Sequence, residues 1–343
     1  MVLQKALLWE KLKNNSVQCR LCSHFCTIKP GDRGSCGVRK NESGELFTLV
    51  RDRVAAANID PVEKKPLFHF YPGTQTFSIG TMGCNMSCAF CQNHTLSQTP
   101  KQTGQVSGEK FSGPAIAEAA VQAPAGSISY TYSEPTIFTE LVLDTAGPAK
   151  EKGLKNILVS NGFQSPQCLD MLSGYIDAAN IDLKAFSDEF YREYCGARLK
   201  PVLENLKTIK KMGWWMEVTT LVITGLNDSE SELRDMAGFI ARELGPDIPW
   251  HISRFHPTYK MLDRPSTPVE TLEKAYEAGK KEGLKYVYTG NVAGHDGENT
   301  YCPSCGEILI KRSGFSAAGK SIKKGKCKKC GQEIAGVGLS AID

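Results

Sequence analysis

The cysteines constrain this chain more than any other feature of its sequence. Of its 343 residues, 13 are cysteines, and 11 of these fall into three clusters. The clusters contain Cys19, Cys22, Cys26 and Cys36; Cys84, Cys88 and Cys91; and Cys302, Cys305, Cys327 and Cys330. No run of apolar residues is long enough to span a membrane, and Glu10 and Lys11 interrupt the segment where a signal peptide needs its apolar region. We therefore expect a cytoplasmic chain, in which clustered, reduced thiols predict metal sites rather than disulfides.

Composition and charge are those of an ordinary globular protein. The chain is 41% hydrophobic and 23% charged, which excludes a disordered or collagenous protein. Its length suits one large domain with small appendages. Of the net charge of +4, the segment from Cys302 onward contributes +5, with eight basic and three acidic residues, and the rest of the chain contributes −1. Any attraction to anions is therefore expected at the C-terminus.

Residues 76 to 290 alternate short β-branched runs with longer segments of helical periodicity, a pattern typical of βα units around a parallel sheet. Predicted strands cover 76–81, 127–132, 156–160, 180–184, 217–224, 250–255 and 286–290. Predicted helices cover 114–123, 136–152, 166–173, 187–212 with a break near Pro201, 229–243 and 268–282. One more short helix is predicted at the N-terminus from Leu3, Leu7, Leu8 and Leu12. Six or seven βα units predict a full or partial barrel, whose chemistry gathers at the C-terminal ends of the strands.

The loop after the first predicted barrel strand contains the central cysteines. It reads GTMGCNMSCAFCQN, which places Cys84, Cys88 and Cys91 in the spacing C-x3-C-x2-C. A [4Fe–4S] cluster normally takes four cysteine thiolates, so three ligands leave one iron open to an outside ligand. The alternatives are a zinc site that takes His94 as its fourth ligand, or three thiols without a metal. The position at a strand end favours the cluster.

Two CxxCG knuckles near the C-terminus predict a zinc ribbon. Cys302 and Cys305 form the first knuckle, and Cys327 and Cys330 form the second. Four thiolates bind zinc tetrahedrally, and a closed site of this kind is structural. An iron site of the rubredoxin type is the alternative, because iron also accepts four thiolates.

The N-terminal cysteines are less regularly spaced. Cys19, Cys22 and Cys26 are followed nine residues later by Cys36, and His24 is a spare ligand. Such a set can hold zinc or an auxiliary iron–sulfur cluster, and the spacing does not separate the two. The remaining two cysteines, Cys168 and Cys195, are interpreted as unliganded, and a position of Cys195, in YREYCGA, near the cavity is left open.

Together these motifs resemble the radical S-adenosylmethionine (SAM) enzymes, in which the open iron chelates the amino and carboxylate groups of the methionine part. The runs DPVEKKPLFHFYPGTQTFSIGTMGCNMSCAFCQN, CRLCSHFC, GSCGVR, TYCPSCG and KCKKCGQEIAGVG resemble, over essentially the whole chain, the radical enzyme of the AmmeMemoRadiSam system, which is often described as similar to the pyruvate formate-lyase activating enzyme. The resemblance implies an α/β fold. We expect a radical SAM (β/α)6-type partial TIM barrel at 71–295, a Cys-rich module at 1–70 and a zinc ribbon at 296–343.

The resemblance implies that Glu134, in YTYSEPT, contacts SAM. It stands where radical enzymes of this kind have a Gly-Gly-Glu element that holds the substrate amino group, although Tyr132 and Ser133 replace the glycines. The alternative is that Glu134 caps a helix that begins at Pro135. Tyr130 and Tyr132 share strand parity, so both are expected to point into the barrel, where they shape a cavity or fill the core.

Further strand ends supply the other predicted SAM contacts. Asp182 and Lys184 in NIDLK share one face of a strand and match the Asp-x-Lys element of activating enzymes, which contacts the sulfonium substrate. A buried ion pair is the alternative. Ser160 in VSNG is included by its position, and His251 is placed near the ribose or the methionine carboxylate, or else is structural. Gly225 in LVITGLND is expected near the adenine.

The implied function is that of an enzyme. One electron delivered to the cluster would cleave SAM to methionine and a 5′-deoxyadenosyl radical, which abstracts hydrogen from a substrate. The similarity to activating enzymes suggests a glycine of a partner protein, and a small molecule is the alternative. Implied cofactors are a [4Fe–4S] cluster, SAM, zinc in the ribbon, and a second zinc or an auxiliary iron–sulfur cluster at the N-terminus.

The implied electron donor is a protein such as a flavodoxin or a ferredoxin, and we expect no membrane and no nucleic-acid partner. The alternative function is that of a non-catalytic iron–sulfur or zinc protein that transfers electrons or binds nucleic acid through the basic ribbon. Polar strand ends argue against this alternative, because a carrier has no use for Glu134, Asp182, Lys184 and His251 converging at one end of a barrel.

Overall fold

The β-branched runs form the strands of one central sheet in the computed structural model, which describes residues 4–292, 294–319 and 321–339. Strands adjacent in sequence are adjacent in the sheet. The eight strands are β1 (Ala56–Pro61), β2 (Gln75–Gly80), β3 (Ser127–Tyr130), β4 (Lys155–Ser160), β5 (Ala178–Asp182), β6 (Trp215–Val222), β7 (Trp250–Arg254) and β8 (Val287–Gly290). Strands β2 to β8 run parallel, and β1 pairs antiparallel with β2. Because the described strands β1 and β8 do not pair with each other, the barrel is partial.

Eight helices connect or follow these strands in the described part of the chain. They are α1 (His94–Thr103), α2 (Gly113–Gln122), α3 (Thr139–Glu151), α4 (Pro166–Leu172), α5 (Asp188–Phe190), α6 (Leu199–Met212), α7 (Glu230–Phe239) and α8 (Val269–Lys281). A 3-10 turn, Pro135–Phe138, precedes α3, and π-helical turns extend α5 over Tyr191–Cys195 and α7 over Ile240–Leu244. No helix of these described ranges is long and apolar enough to cross a membrane.

All seven predicted strands and all six predicted helical segments of the barrel are present. The helix predicted over 187–212 breaks at Gly196, which has a φ of 64°, and not at Pro201. Pro201 lies in the first turn of α6, where a proline removes no hydrogen bond of the helix. Helix α1 is not predicted from the sequence, because its polar composition and internal Pro100 do not match the pattern of a helix.

The predicted N-terminal helix is wrong. Gln4–Lys5 joins Arg39–Glu42 and Glu45–Thr48 in one antiparallel sheet, and Trp9–Lys11 joins Val17–Cys19 and Thr27–Ile28 in another. Leu8, with a φ of 53°, breaks the periodicity, and Leu3 lies outside the described residues. Pairing with distant strands therefore overrides the local spacing of the leucines.

The remaining short elements flank the barrel. Arg53–Val54 pairs with Glu109–Lys110, and 3-10 turns occupy Lys13–Asn15, Val62–Lys64 and Asp296–Glu298. Near the C-terminus, Thr300–Tyr301, Ile308–Ser313 and Ser316–Gly319 form a three-stranded sheet, and Ile322–Lys323 pairs with Lys326–Cys327. Of the modules expected at 1–70 and 296–343, residues 1–3, 320 and 340–343 lie outside the described residues.

The segment after β1 fills the interior of the barrel. Val62, Leu67 and Phe70 are buried there against Ile157 of β4 and Ala178 of β5. We call residues 62–71 the plug segment. Since β1 and the plug segment already belong to the barrel, the boundary expected at residue 70 falls after the start of the sheet.

One buried carboxylate anchors the plug segment. Glu217 of β6, which has no exposed surface, accepts hydrogen bonds from the backbone N–H groups of Phe68 and His69 at 2.9 and 2.8 Å. It is also 2.9 Å from Nε1 of Trp215 and 2.6 Å from Nε2 of His251. Burial favours the protonated acid, but the hydrogen bond and charge of His251 outweigh this effect and lower the pKa of Glu217.

The C-terminal segment closes the same region. The Arg312 guanidinium is fully buried, lies 4.0 Å from the centre of the Phe68 ring and donates to the Phe68 carbonyl at 2.8 Å. It also donates to Thr300 Oγ1 at 2.7 Å. His69 Nδ1 is 2.6 Å from the carbonyl of Ala335. The plug segment is thus held from both sides, by the sheet and by the C-terminal segment.

We predict that Glu217→Gln lowers the free energy of unfolding at pH 7 by about 1–3 kcal/mol, because an amide cannot accept from all four donors. Since the folded-state pKa of Glu217 is lowered, its carboxylate contributes stability above its ordinary pKa of 4.5, and this contribution is lost as the pH falls through the folded value. The variant should lack this part of the pH dependence in unfolding measured from pH 7 down to about pH 3, since the loss lies below the ordinary pKa of the carboxyl group. The exposed Glu45→Gln is the control, and equal pH slopes in both variants would contradict the prediction.

Candidate active site and metal centres

A cavity of about 530 Å³ opens at the C-terminal ends of the strands, a size typical of sites for cofactors and small molecules. The thiols of Cys84, Cys88 and Cys91 line it. Polar residues from five neighbouring strand ends share the lining, and these are Thr131, Glu134, Ser160, Asn161, Asp182, Lys184, Thr219 and Ser253. The parallel strands therefore bring the central cysteines and the predicted polar residues together, as the barrel rule requires.

The loop between β2 and α1 positions the three thiols. Gly83, with a φ of 99°, lets the chain turn, and its N–H donates to the carbonyl of Leu96 at 2.9 Å. The Met86 N–H lies 3.4 Å from the Cys84 sulfur, and the Ser97 hydroxyl lies 3.2 Å from the Cys91 sulfur. Burial raises the pKa of Cys84 and of Cys91, so these thiols are neutral unless a metal binds them.

Cys195, interpreted from sequence as unliganded, packs against the same loop. Its carbonyl accepts from the Ser87 N–H, and the carbonyl of Tyr194 accepts from the Ala89 N–H, both at 2.8 Å. A side-chain hydrogen bond with Cys195 lowers the pKa of Cys88. The π-helical turn that ends α5 therefore places a fourth thiol beside one member of the central cluster, as the alternative left open for Cys195 expects.

Glu134 lies at the centre of a buried hydrogen-bond network. Its Oε1 accepts from Thr136 N at 3.0 Å and from Ser160 Oγ at 2.8 Å, and its Oε2 accepts from Asn161 N at 2.8 Å. Burial raises its pKa, although the Asn161 and Thr136 donors oppose this shift. Glu134 therefore caps the turn that begins at Pro135, and it also lines the cavity.

Asp182 and Lys184 form an ion pair at the cavity. Lys184 Nζ lies 2.8 Å from Asp182 Oδ2, and the same ammonium is 5.8 Å from the centre of the Phe90 ring. Charge on Asp182 and on nearby thiols raises the pKa of Lys184 despite the opposing effect of burial. Both side chains also line the cavity. The ion pair predicted as the alternative therefore leaves both residues accessible to a ligand in the cavity.

Comparison with known proteins decides the family. The family model described as "Radical SAM superfamily" matches residues 78–240, which extend from β2 to the end of α7. An uncharacterized protein of Methanocaldococcus jannaschii is 45% identical over 334 residues, which cover 97% of this chain and 99% of that protein. This chain belongs to the radical SAM superfamily. The C-x3-C-x2-C loop, the family match and the partial barrel all lie in the same part of the chain.

More distant relatives extend the comparison. The pyruvate formate-lyase-activating enzyme of Clostridium pasteurianum is 19% identical over 225 residues, which cover 62% of this chain and 91% of that enzyme. The crystal structure of a radical SAM methyltransferase from Sphaerobacter thermophilus is similar with a TM-score of 0.50 and 15% identity, over 66% of this chain and 68% of that one. This likeness shows a shared fold alone. The predicted α/β radical SAM fold is confirmed.

Within this radical SAM barrel, His251 lies outside the residues that line the cavity. Its ring is one inward-facing position before Ser253 on β7, stacks on Tyr288 at 5.2 Å and is committed to Glu217. His251 therefore belongs to the network around the plug segment. These contacts agree with the alternative that the residue is structural. Gly225 is likewise absent from the cavity lining, and its N–H donates to Asp228 Oδ1 at 2.9 Å.

The two tyrosines do not share a face. Tyr130 points toward the helices, where its hydroxyl donates to Asn156 Oδ1 at 2.9 Å, and Asn156 in turn donates to Ala146 of α3. Tyr132 lines the cavity because β3 has ended and its φ of 65° turns the chain. Its hydroxyl donates to Asp60 Oδ2 at 2.5 Å. The expectation for Tyr130 is wrong because strand parity holds only while the strand continues.

Several cavity residues were missed from sequence. Lys64 and Lys65 come from the plug segment, and both pair with Asp60. Phe315 lies at the turn between strands Ile308–Ser313 and Ser316–Gly319, and its side chain lines the cavity although it is 51% exposed. No local pattern could have found Phe315, because more than 200 residues separate it from the central cysteines.

The C-terminal cysteines form a compact site. The sulfurs of Cys302 and Cys330 are 3.6 Å apart, and those of Cys305 and Cys327 are 3.8 Å apart. Tetrahedral coordination with metal–sulfur bonds of about 2.3 Å places sulfurs about 3.8 Å apart. The four thiols, which we call the ribbon site, can therefore hold a single metal ion.

Of the N-terminal cysteines, Cys19, Cys22 and Cys36 are buried and Cys26 is partly exposed. Across the described ranges, only the ribbon thiols form a set of three or more potential ligands within 4.8 Å of one another. Neither the N-terminal set nor the central set is that compact. A four-iron cluster spreads its thiolates over separate irons, so the wider spacing of the central set is compatible with one.

We predict that Cys330→Ser, which changes the most exposed ribbon ligand, removes about one metal ion per chain and increases proteolysis of the segment after residue 296, because metal binding supplies folding energy to such a small unit. Metal analysis by mass spectrometry and limited proteolysis check this. Cys168→Ser is the matched control, since Cys168 is buried beside Thr139 and lies in none of the three sets. Unchanged metal content in Cys330→Ser would contradict a four-thiolate site.

Proposed function

We propose that this chain is a radical SAM enzyme of the activating-enzyme type, in which Cys84, Cys88 and Cys91 hold a [4Fe–4S] cluster. When bound, the cluster and SAM supply a one-electron reductive cleavage that gives methionine and a 5′-deoxyadenosyl radical, which takes a hydrogen atom from a substrate. The observation that supports this best is that the three thiols and the polar strand ends line one cavity.

The polar residues suit the methionine part of SAM. Oε2 of Glu134 accepts from Asn161 N and has a further lone pair for an ammonium donor. Ser160 holds the other carboxylate oxygen and so fixes the orientation of Glu134. Lys184 supplies a cation for a carboxylate, and Asp182 keeps that ammonium in place. We propose that these four residues bind and orient SAM.

The walls of the cavity determine what reaches SAM. Phe315 and Tyr132 contribute apolar surface, and Lys64 and Lys65 contribute positive charge. The hydrogen donor is either a glycine of a partner protein, as the name of one relative, a putative glycyl-radical enzyme activating enzyme, suggests, or a small molecule. A flavodoxin or a ferredoxin would supply the electron, and we propose that the protein works in the cytoplasm.

We propose zinc for the ribbon site, because a closed set of four thiolates with tetrahedral spacing is typical of structural zinc.

The division of the chain into modules follows the contacts between segments. We propose an N-terminal Cys-rich module that ends before β1, a barrel that extends to about residue 295, and a C-terminal ribbon module whose Arg312 is inserted against the plug segment.

The function is tested by anaerobic reconstitution with iron and sulfide, reduction with dithionite, and chromatography for 5′-deoxyadenosine. We expect the parent and Cys168→Ser to form it, and the triple variant with alanine at Cys84, Cys88 and Cys91 to form none, since it has no cluster ligands. If the parent binds iron but forms no 5′-deoxyadenosine with candidate substrates present, an electron carrier or a nucleic-acid-binding protein becomes the better account. Salt-dependent binding of nucleic acid would favour the latter.

We predict that Lys184→Met weakens SAM binding by about 10-fold to 150-fold, which corresponds to the loss of one charged hydrogen bond of about 1.5–3 kcal/mol. The iron content should not change, because Lys184 is not a ligand. Equilibrium binding of SAM to the reconstituted protein checks this. Lys152→Met, on the surface beside Glu118, is the control, and equal affinities in the two variants would place SAM elsewhere.

A further inference from the structure

Helix α1 holds the loop of the central cysteines with three side chains. Lys101 follows Gln98 by three residues and Ser97 by four, so these side chains lie on one side of the helix. The Ser97 hydroxyl lies 3.2 Å from the Cys91 sulfur, and Gln98 Nε2 donates to the carbonyl of Met86 at 3.2 Å. Ser97 and Gln98 are both buried. This side of α1 is therefore committed to the cysteine loop.

Lys101 binds the middle of that loop. Its Nζ donates to the carbonyl of Met86 at 2.6 Å and to the Ser87 hydroxyl at 2.9 Å. Met86 and Ser87 lie between Cys84 and Cys88 in the sequence. The ammonium of Lys101 is therefore bound to the stretch of chain that joins two of the proposed cluster ligands.

Packing of the backbone fixes the end of α1 from the other side. Gly37, with a φ of 78°, contacts the helix where Pro100 is followed by Lys101. A β-carbon at Gly37 would lie 2.9 Å from the carbonyl carbon of Pro100 and 3.0 Å from the backbone nitrogen of Lys101. Because the N-terminal segment packs so closely here, the backbone of Lys101 has little room to shift away from the cysteine loop.

The charge of Lys101 has no carboxylate partner in the part of the chain that the structure describes. Both of its hydrogen bonds end on neutral groups. The lysines that line the cavity differ in this respect, since Lys184 is paired with Asp182 and Lys65 is paired with Asp60. The positive charge of Lys101 is therefore not offset by an acid and acts on the cysteine loop.

The thiols of that loop in turn favour the charged form of Lys101. Burial lowers the pKa of Lys101, and negative charge on Cys84 and on neighbouring thiols opposes this shift. A four-iron cluster held by thiolates gains one further negative charge when it is reduced. Net charge near a cluster is one of the factors that set its reduction potential, and a fixed cation stabilises the reduced form.

We propose that Lys101 is a positioning residue that holds the cysteine loop and raises the reduction potential of the cluster bound by Cys84, Cys88 and Cys91. The cluster itself rests on the proposed function. The role of Lys101 rests on its two hydrogen bonds to the loop and on its lack of an acidic partner among the described residues. In the step that it favours, an external donor loses one electron and the cluster gains it. No proton or group is transferred.

The test is a redox titration of the anaerobically reconstituted full chain, followed by electron paramagnetic resonance. The signal of the central cluster is the one that is missing from the variant with alanine at Cys84, Cys88 and Cys91. At a given potential, we expect Lys101→Met to lower the ratio of reduced to oxidised cluster by about threefold to tenfold. A tenfold change corresponds to a shift of about 59 mV for one electron. Lys101→Arg, which keeps the charge, should restore most of the ratio.

A further variant separates the charge from the hydrogen bonds. Lys101→Gln keeps an N–H donor without a charge, and we expect it to shift the potential in the same direction as Lys101→Met. It also decides the result if Lys101→Met does not retain iron. Lys150→Met is the matched control, because Lys150 Nζ likewise donates to a backbone carbonyl, that of Gly174 at 2.8 Å, but extends from α3. It should match the parent.

Two results would overturn the proposal. One is a Lys101→Gln variant with the potential of the parent, which would reduce the role of Lys101 to hydrogen bonding. The other is an equal shift in Lys150→Met and Lys101→Met. The proposed function fails separately. A shifted potential in Lys101→Met, together with a parent that forms no 5′-deoxyadenosine, would refute SAM cleavage and leave the role of Lys101 in place.

Discussion

The buried carboxylate of Glu217 is the interaction on which the arrangement of the barrel depends. A charge without exposed surface is stable only when donors surround it, and here two backbone N–H groups of the plug segment, an indole and an imidazole do so. This fixes the plug segment inside an open parallel barrel. The plug segment in turn receives Arg312 from the C-terminal module. With its interior filled in this way, the barrel keeps a cavity at the C-terminal strand ends.

Several residues of that cavity stabilise the fold and also present a polar group to the cavity. Glu134 caps a turn and binds Ser160, yet it still presents a carboxylate to the cavity. Asp182 and Lys184 pair with each other and also line it. These partners hold each side chain in one orientation before any ligand binds. Ligand binding therefore loses little side-chain conformational entropy at these residues. For the same residues, a structural interpretation from sequence and a functional one are therefore not exclusive.

Local patterns predicted what depends on local geometry. The strands and helices of the barrel follow from periodicity, and the ribbon site follows from two CxxCG knuckles. Contacts between distant segments were not predictable in this way. His251 was assigned to the cavity because it lies near a strand end, but its partner Glu217 on another strand retains it in the interior. Phe315 reaches the cavity from the far end of the chain, and Gln4–Lys5 pairs with Phe47 and Thr48, more than 40 positions away in sequence.

The three thiol sets differ in spacing, and that difference follows from what surrounds them. The ribbon site lies between two short hairpins near the surface, so its sulfurs can approach to 3.6 and 3.8 Å around one ion. The central and N-terminal sets are attached to larger loops that face each other across Gly83. Packing at that contact allows no β-carbon, so the two loops cannot separate or rotate without loss of contact on both sides. The geometry of the central thiols is therefore coupled to the folding of the N-terminal segment that contacts their loop at Cys36 and Val38.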